Sequence, residues 1–328
     1  MSKDAAESRT PDGDRTGSPF HDGELAVQRR LGVSAKIDRF GRVGIRDFMP
    51  EQHRTFFGQL STFFIGSVDA QGRPWASVLC GQPGFIQSPN ERLLRFASLP
   101  DPEDPFADSL RSGAVVGGLG IELHSRRRNR VNGKLIIDPA AAGFDLRVDQ
   151  SFGNCAKYIQ ARKARFLSDL SAATGERRLR SFTRFDGECG AILKRCDTFF
   201  IASRFGADPN DPRHGVDMSH RGVPAGLLMA VDDRVLRWPD YRGNFFFNTF
   251  GNIELDPRCG LLIVDFNTGD TLQLTGTANV LWEAPFDNPT VEGAQRTVEF
   301  RLEQGIHVAN ALPFVWDFVE QAPQFSNP

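Results

Sequence analysis

The chain has 328 residues, 40% of them hydrophobic and 24% charged, with a formal net charge of -2 and an isoelectric point near 6.3. That length allows two domains with real cores, and the near-neutral balance supplies no global basic field to attract nucleic acid. No apolar run is long enough to cross a membrane as a helix, so no membrane span is expected.

The first residues, 1–18, are polar and rich in Gly, Pro, Ser and Asp, and they read as a disordered arm. Residues 19–60 read as a helical arm. Leu25, Ala26, Val27 and Leu31 fall near helical spacing, and Pro50 stands where a proline opens a helix that runs to about Leu60. Residues 61–142 then change to strand grammar. Phe63–Val68 and Pro74–Leu79 flank the turn Asp69-Ala70-Gln71-Gly72, and Leu93–Ala97, Val115–Leu123 and Arg130–Ile137 follow. Residues 143–195 read as a linker with a strand at Gly143–Val148, a helix over Tyr158–Leu170 and a further helix over Gly187–Arg195. Residues 196–328 return to strands: Thr198–Ser203, Val216–His220, Gly226–Val231, Val235–Trp238, Gly260–Phe266, Thr271–Trp282 and Arg296–Leu302. A short helix lies between Asn244 and Leu255, and an aromatic stretch at Pro313–Phe318 closes the chain.

The second run of strands repeats the first. Phe63-Phe64-Ile65-Gly66-Ser67 returns as Phe199-Phe200-Ile201-Ala202-Ser203, Gly84-Phe85 as Gly226-Leu227, Leu94-Arg95-Phe96 as Leu236-Arg237-Trp238, and Gly133 as Gly276. Such self-similarity sets the architecture. The fold class expected is mainly β with peripheral helices, two tandem antiparallel barrels of six to seven short strands each. The five cysteines, odd in number and without a Cys-x-x-Cys pair, read as small buried apolar residues of a reducing compartment. No metal-ligand spacing is present, and no Gly-x-Gly-x-x-Gly follows a strand. The opening Met-Ser-Lys-Asp shows no secretion signal, and a cytoplasmic location is expected.

The second copy carries an ordered string: Asp197–Ser203, Gly215-Val216-Asp217-Met218-Ser219-His220-Arg221-Gly222, Trp238–Asn244, Asn248-Thr249-Phe250-Gly251-Asn252-Ile253, Asp256–Leu262 and Leu272–Gly276. It resembles the pyridoxamine 5'-phosphate oxidase-like, FMN-binding split-barrel family over residues 197–282, and more loosely over 63–137. The resemblance implies six-stranded split β-barrels that pair with FMN at the interface, here as two tandem barrels forming a pseudo-dimer within one chain. Larger members of the family are also similar in the N-terminal segment Ser18–Gln28 and in the linker Phe152–Arg162. One departure stands out. True pyridoxamine phosphate oxidases carry Arg-Leu-His-x-Arg near the C-terminus, where this chain reads Arg301-Leu302-Glu303-Gln304-Gly305. Vitamin B6 oxidation is therefore not expected.

A flavin phosphate needs fixed cations, hydroxyls and N–H groups at a helix start. Arg242, Gly243, Asn244, Thr249 and Asn252 supply those types around the predicted short helix. Ser219 and Arg221 sit on a strand that, in the resembling family, runs beside the flavin ring, and His220 is the candidate for facing substrate. Four arginines between Arg126 and Arg130 read either as a solvated loop or as a hairpin that completes the other copy's site. Alternation places Arg128 and Arg130 on one face. Copy one replaces Tyr241–Asn244 with the acidic, proline-rich Leu99–Pro105, so one cofactor site per chain is expected rather than two. The reading is an FMN-dependent oxidoreductase acting on a small organic substrate, with NAD(P)H as a candidate donor, and with a homodimer of pseudo-dimers as an option. The alternative is a non-catalytic flavin- or haem-binding storage or sensing protein.

Overall fold

The computed structural model describes residues 17–167, 176–206, 208, 210–284, 286 and 293–326, so residues 1–16 of the expected N-terminal arm and the last residues of the expected 158–170 helix lie outside it. Three helices open the described chain: α1 (Asp22–Arg30), α2 (Ser34–Gly44) and α3 (Glu51–Gly58). A capping box starts α1, in which His21 accepts from the Gly23 N–H and Glu24 accepts from the His21 N–H. Pro50 precedes α3 as its N-cap. Helix α2 lies in the expected helical arm without a signal of its own; Gly41 inside it and Gly44 at its end weaken the local helical pattern.

Seven strands follow: β1 (Thr62–Val68), β2 (Pro74–Cys80), β3 (Ile86–Asn90), β4 (Leu93–Phe96), β5 (Val115–Glu122), β6 (Arg127–Ile136) and β7 (Phe144–Gly153). They form one antiparallel sheet in the order β2-β1-β5-β6-β7-β4-β3. After β8 (Ala161–Phe166), β9 (Arg178–Phe182) and α4 (Gly187–Arg195) come β10 (Thr198–Phe205), β11 (Gly215–Gly222), β12 (Met229–Ala230), β13 (Val235–Tyr241), α5 (Asn248–Leu255), β14 (Arg258–Val264), β15 (Thr271–Leu281), β16 (Ala294–Ala309) and β17 (Phe314–Glu320). The second sheet runs β11-β10-β14-β15-β16-β13-β12, strand for strand the order of the first, with β9 added against β16. Each repeat thus contributes seven strands to an open sheet, the number read along the second repeat and not the six of the barrels that the resemblance implies. The strand without a counterpart in the sequence reading is β3, a short edge; β12 is the strand expected at Gly226–Val231, reduced to two residues.

The repeat extends to irregularities. Register slips by a bulge at Asn132/Gly133 in the β6–β7 pair and at Thr275/Gly276 in the β15–β16 pair. A Cβ on Gly133 would strike the Arg147 carbonyl, and one on Gly276 the Arg301 carbonyl. Both glycines are therefore fixed by the close approach of a neighbouring backbone.

One expected element fails and another extends. Within the described part of the helix expected over Tyr158–Leu170, residues Ala161–Phe166 form the strand β8 instead, which pairs with β17. Its partner lies far along the chain and offers Phe314 to Phe166 and Phe318 to Arg162, so tertiary pairing overrides the local helical pattern. The strand expected at Gly143–Val148 is present as β7, longer than expected, and it lies within the first sheet between β6 and β4.

Each sheet has its own apolar core, one around Phe63, Phe96 and Leu146 and the other around Phe199, Trp238 and Phe300. A third cluster draws on both sheets, with Phe64, Ala76 and Leu119 meeting Phe200, Ala202 and Leu262. The contact is reciprocal. Gly117 of β5 lies against the Val216 backbone of β11, while Gly260 of β14 lies against the Pro74–Trp75 backbone of β2. Phe64 and Phe200 stack with centroids 3.6 Å apart. No helix among the described residues is long and apolar enough to cross a membrane.

Candidate functional site

A cleft opens where β6 of the first sheet reaches β11 of the second, with an empty space of about 890 Å³ that includes solvent at its mouth. Arg128 and Arg130 enter from β6, and Ser219, His220 and Arg221 from β11. Gly243, Asn244 and Thr249 close it from the segment after β13 and the start of α5.

Arg130 is buried and anchors the seam. Its Nη1 donates to Asp217 Oδ1 at 2.8 Å and its Nη2 to Ser219 Oγ at 2.5 Å. Thr249 Oγ1 donates to the same Ser219 oxygen at 2.9 Å. Ser219 thereby accepts twice, which leaves its own O–H free to donate into the cleft. The Nε of Arg130 is buried without a partner.

Arg128 donates through Nε to the Cys155 carbonyl at 2.7 Å and through Nη1 to His220 Nδ1 at 3.0 Å. Burial pushes its pKa down to about 10, still a cation at neutral pH. Because a guanidinium has only donors, His220 Nδ1 must accept, and the imidazole proton sits on Nε2. Desolvation first, then Arg128 and Arg221, hold the His220 pKa well below its usual 6.5. His220 is 5% exposed, and its Nε2–H has no partner. Arg221 pairs with Asp240 at 3.3 Å and lies over the Phe250 ring at 5.1 Å. Asp240 is shared with Arg296, also at 3.3 Å. Arg128, Arg130, Lys157 and Arg221 thus line the cleft against one carboxylate, Asp240. The field is set for an anion.

Helix α5 begins in the same cleft. Its N-cap, Phe247, has φ 62° and makes no side-chain cap, and the first helical bond is Gly251 N–H to the Phe247 carbonyl. The N–H groups of Asn248, Thr249 and Phe250 are left without intrahelical acceptors. Phe245 and Tyr158 also adopt the left-handed region, at φ 64° and 65°, so three strained non-glycine residues rim the cleft. Tyr158 and Tyr241 stack at 5.2 Å and give one wall a flat aromatic surface.

Eight of the ten residues singled out from sequence therefore converge: Ser219, His220, Arg221, Gly243, Asn244, Thr249, Arg128 and Arg130. Two do not. Arg242 is exposed, its guanidinium lies over the Phe245 ring, and its carbonyl accepts from Tyr158 Oη. Asn252 is buried behind the cleft with its amide fully used. It accepts from His21 Nε2 at 2.9 Å and donates to Ser203 Oγ at 3.0 Å and to Asp217 Oδ2 at 2.9 Å. It fixes Asp217, which fixes Arg130. Glu24 of α1 braces the same region by accepting from Asn248 Nδ2.

Sequence reasoning did not place Asn154, Cys155, Lys157 and Tyr158 in the site, although they lie in the linker string Phe152–Arg162. A signal existed: the chain has two tyrosines, and both line the cleft. Cys155 likewise departs from the expectation that every cysteine is a core residue; it is partly exposed.

No protein-family model and no curated protein matches the sequence. Solved structures do. HupZ of Group A Streptococcus is similar at 11% identity over 36% of this chain and 90% of its own, with a TM-score of 0.28. A Clostridium acetobutylicum protein related to general stress protein 26, of the pyridoxinephosphate oxidase family, is similar at 10% identity over 40% and 92%, with a TM-score of 0.28. A FAD-binding protein from Mesorhizobium loti is similar at 10% identity over 40% and 98%, with a TM-score of 0.27.

Proposed function

We propose that the chain is a fused pair of split barrels related by a pseudo-twofold axis, and that it works as a flavin-dependent oxidoreductase with FMN in the seam cleft. The twofold reading is supported by the identical strand orders, the paired bulges and the reciprocal Gly117–Val216 and Gly260–Pro74 contacts.

The observation that carries the flavin reading is the Arg128–His220 pair. A cation without a carboxylate partner among the described residues and a buried, unpartnered Nε2–H face the same cleft. Buried donors without acceptors are costly, and where two of them border one open cleft a bound acceptor accounts for both. The donor set fits FMN. The free N–H groups of α5, the Ser219 O–H and Arg130 would hold the phosphate, while Arg128, the His220 Nε2–H and Arg221 would face ring oxygens. The Tyr158–Tyr241 wall offers a flat apolar surface. When bound, the flavin supplies the electron-transfer chemistry, and the protein orients it and sets its electrostatics. His220 serves as a hydrogen-bond donor and not as a general acid, since its cationic form is strongly disfavoured. The substrate is a small organic molecule, with NAD(P)H as the candidate donor.

Haem binding through His220 is disfavoured by the tautomer. An Nε2 metal ligand needs its proton on Nδ1, and Arg128 occupies that position as a donor. The test is the visible spectrum of the purified protein with mass identification of the released cofactor. Flavin bands that are bleached by NAD(P)H and restored by air support the enzyme reading. A Soret band, or a colourless protein that takes up no FMN, rejects it.

A further inference from the structure

Strand register fixes which residues of the two repeats correspond. Ile65 pairs with Ser77 across β1–β2, and Ile201 pairs with Ser219 across β10–β11. Leu119 pairs with Arg130 across β5–β6, and Leu262 pairs with Gln273 across β14–β15. Ser77 is therefore the counterpart of Ser219, and Gln273 the counterpart of Arg130. The same register sets Val78 in the place of His220 and Leu79 in the place of Arg221.

The cross-seam contact survives in this second position. Gln273 Nε2 donates to Ser77 Oγ at 3.0 Å, as Arg130 Nη2 donates to Ser219 Oγ at 2.5 Å. The difference lies above the serine. In the cleft that space is open and bordered by the uncapped start of α5. At the counterpart, Asp104 from the acidic loop fills it. Its Oδ1 accepts from Ser77 Oγ at 2.5 Å and from the Phe106 N–H at 2.8 Å, and its Oδ2 accepts from Gln273 Nε2 at 3.0 Å. Phe106 is the N-cap of the short 3-10 turn Ala107–Ser109, so the Asp104 bond to its N–H fixes the entry to the segment that lies between β4 and β5 as α5 lies between β13 and β14. The neighbouring acids Asp101 and Glu103 are held by Arg177 at 3.0 and 2.9 Å, which pins the loop.

We propose that Asp104 is a built-in carboxylate plug: it occupies the anion position of the pseudo-equivalent site, so the chain keeps one anion-binding cleft and not two. The inference rests on the twofold reading but not on the identity of the cofactor. It also locates the ligand's anionic group in the open cleft, over Ser219, Arg130 and the first turn of α5.

Two measurements test it. Titration of the full chain with FMN should saturate at one equivalent, and two equivalents would overturn the plug. Separately, Asp104→Ala leaves Ser77, Gln273 and the Phe106 N–H facing a carboxylate-sized gap. Its melting temperature should fall by about 2–4 °C or more, and formate should restore it while leaving the wild type unchanged. Asp104→Asn fills the gap and should lose stability without being rescued. An Asp104→Ala protein as stable as the wild type, or formate acting equally on all three proteins, overturns the plug. If Asp104→Ala does not accumulate folded, the same comparison is read as refolding yield with and without formate. Should no FMN bind, the flavin reading falls while formate rescue still decides the plug.

Discussion

Phe64 and Phe200 are the same position of the repeat, and their rings stack on each other at 3.6 Å and 14° in the middle of the seam. A residue that meets its own counterpart is what the proposed pseudo-twofold axis requires of the seam. Both are buried, at 4% and 0% exposure. Phe64→Ala and Phe200→Ala should each destabilise the chain by about 3–5 kcal/mol in urea unfolding. The double variant should cost less than the sum, with a coupling of about 0.5–3 kcal/mol. Additive losses would show that the two halves do not depend on one shared seam.

Arg128 and His220 are expected to act as a unit in ligand binding. Arg128→Met removes a charged donor and leaves His220 Nδ1 without its partner, so FMN affinity should drop by about 10–100-fold. His220→Phe keeps the ring and removes the Nε2–H, and a smaller loss of about tenfold is expected. Isothermal titration of the apoprotein measures both. Nitrogen NMR of the ring should show His220 neutral, with its proton on Nε2, across the neutral range, as its lowered pKa requires.

His53 supplies a pH signature away from the cleft. Its Nδ1 lies 3.1 Å from Ser151 Oγ, and burial, with Arg46 and Arg127 nearby, lowers its pKa from 6.5 to about 4. The unfolded chain takes up this proton near pH 6.5 and the folded chain does so only near 4. Stability contributed by the neutral ring is therefore present above pH 6.5 and lost progressively as the pH falls towards 4. His53→Asn should flatten the melting temperature between those values. An unchanged slope would assign the acid sensitivity elsewhere.

The paired bulges make a symmetric prediction. Gly133→Ala and Gly276→Ala each drive a methyl group into a strand carbonyl, of Arg147 and Arg301 respectively. Each should destabilise by about 1–3 kcal/mol in thermal or urea unfolding. If only one does, the two sheets are not equivalent in this register.

Much of the site was legible because it is written in local strings. Ser219, His220 and Arg221 stand together on one strand, and period-two alternation puts Arg128 and Arg130 on the same face of β6. Asn252 was misread for the opposite reason. Its sequence neighbours suggest a helix start facing a ligand, but its partners His21, Ser203 and Asp217 come from three other segments. Tyr158 was misplaced because its helical setting does not exist: β8 forms against β17, whose residues are far away in sequence.

The sequence by itself determined the repeat, and with it the matching strand orders, since the spacing of apolar residues dictates which segments pair and which side faces inward. It also determined the asymmetry between Tyr241–Asn244 and the acidic Leu99–Pro105 loop. Only the tertiary structure decided what that asymmetry does. Hydrogen bonds across the seam depend on how two sheets dock, which no local pattern encodes, and docking sets Asp104 on Ser77 and Gln273 while leaving Ser219, Arg130 and His220 open.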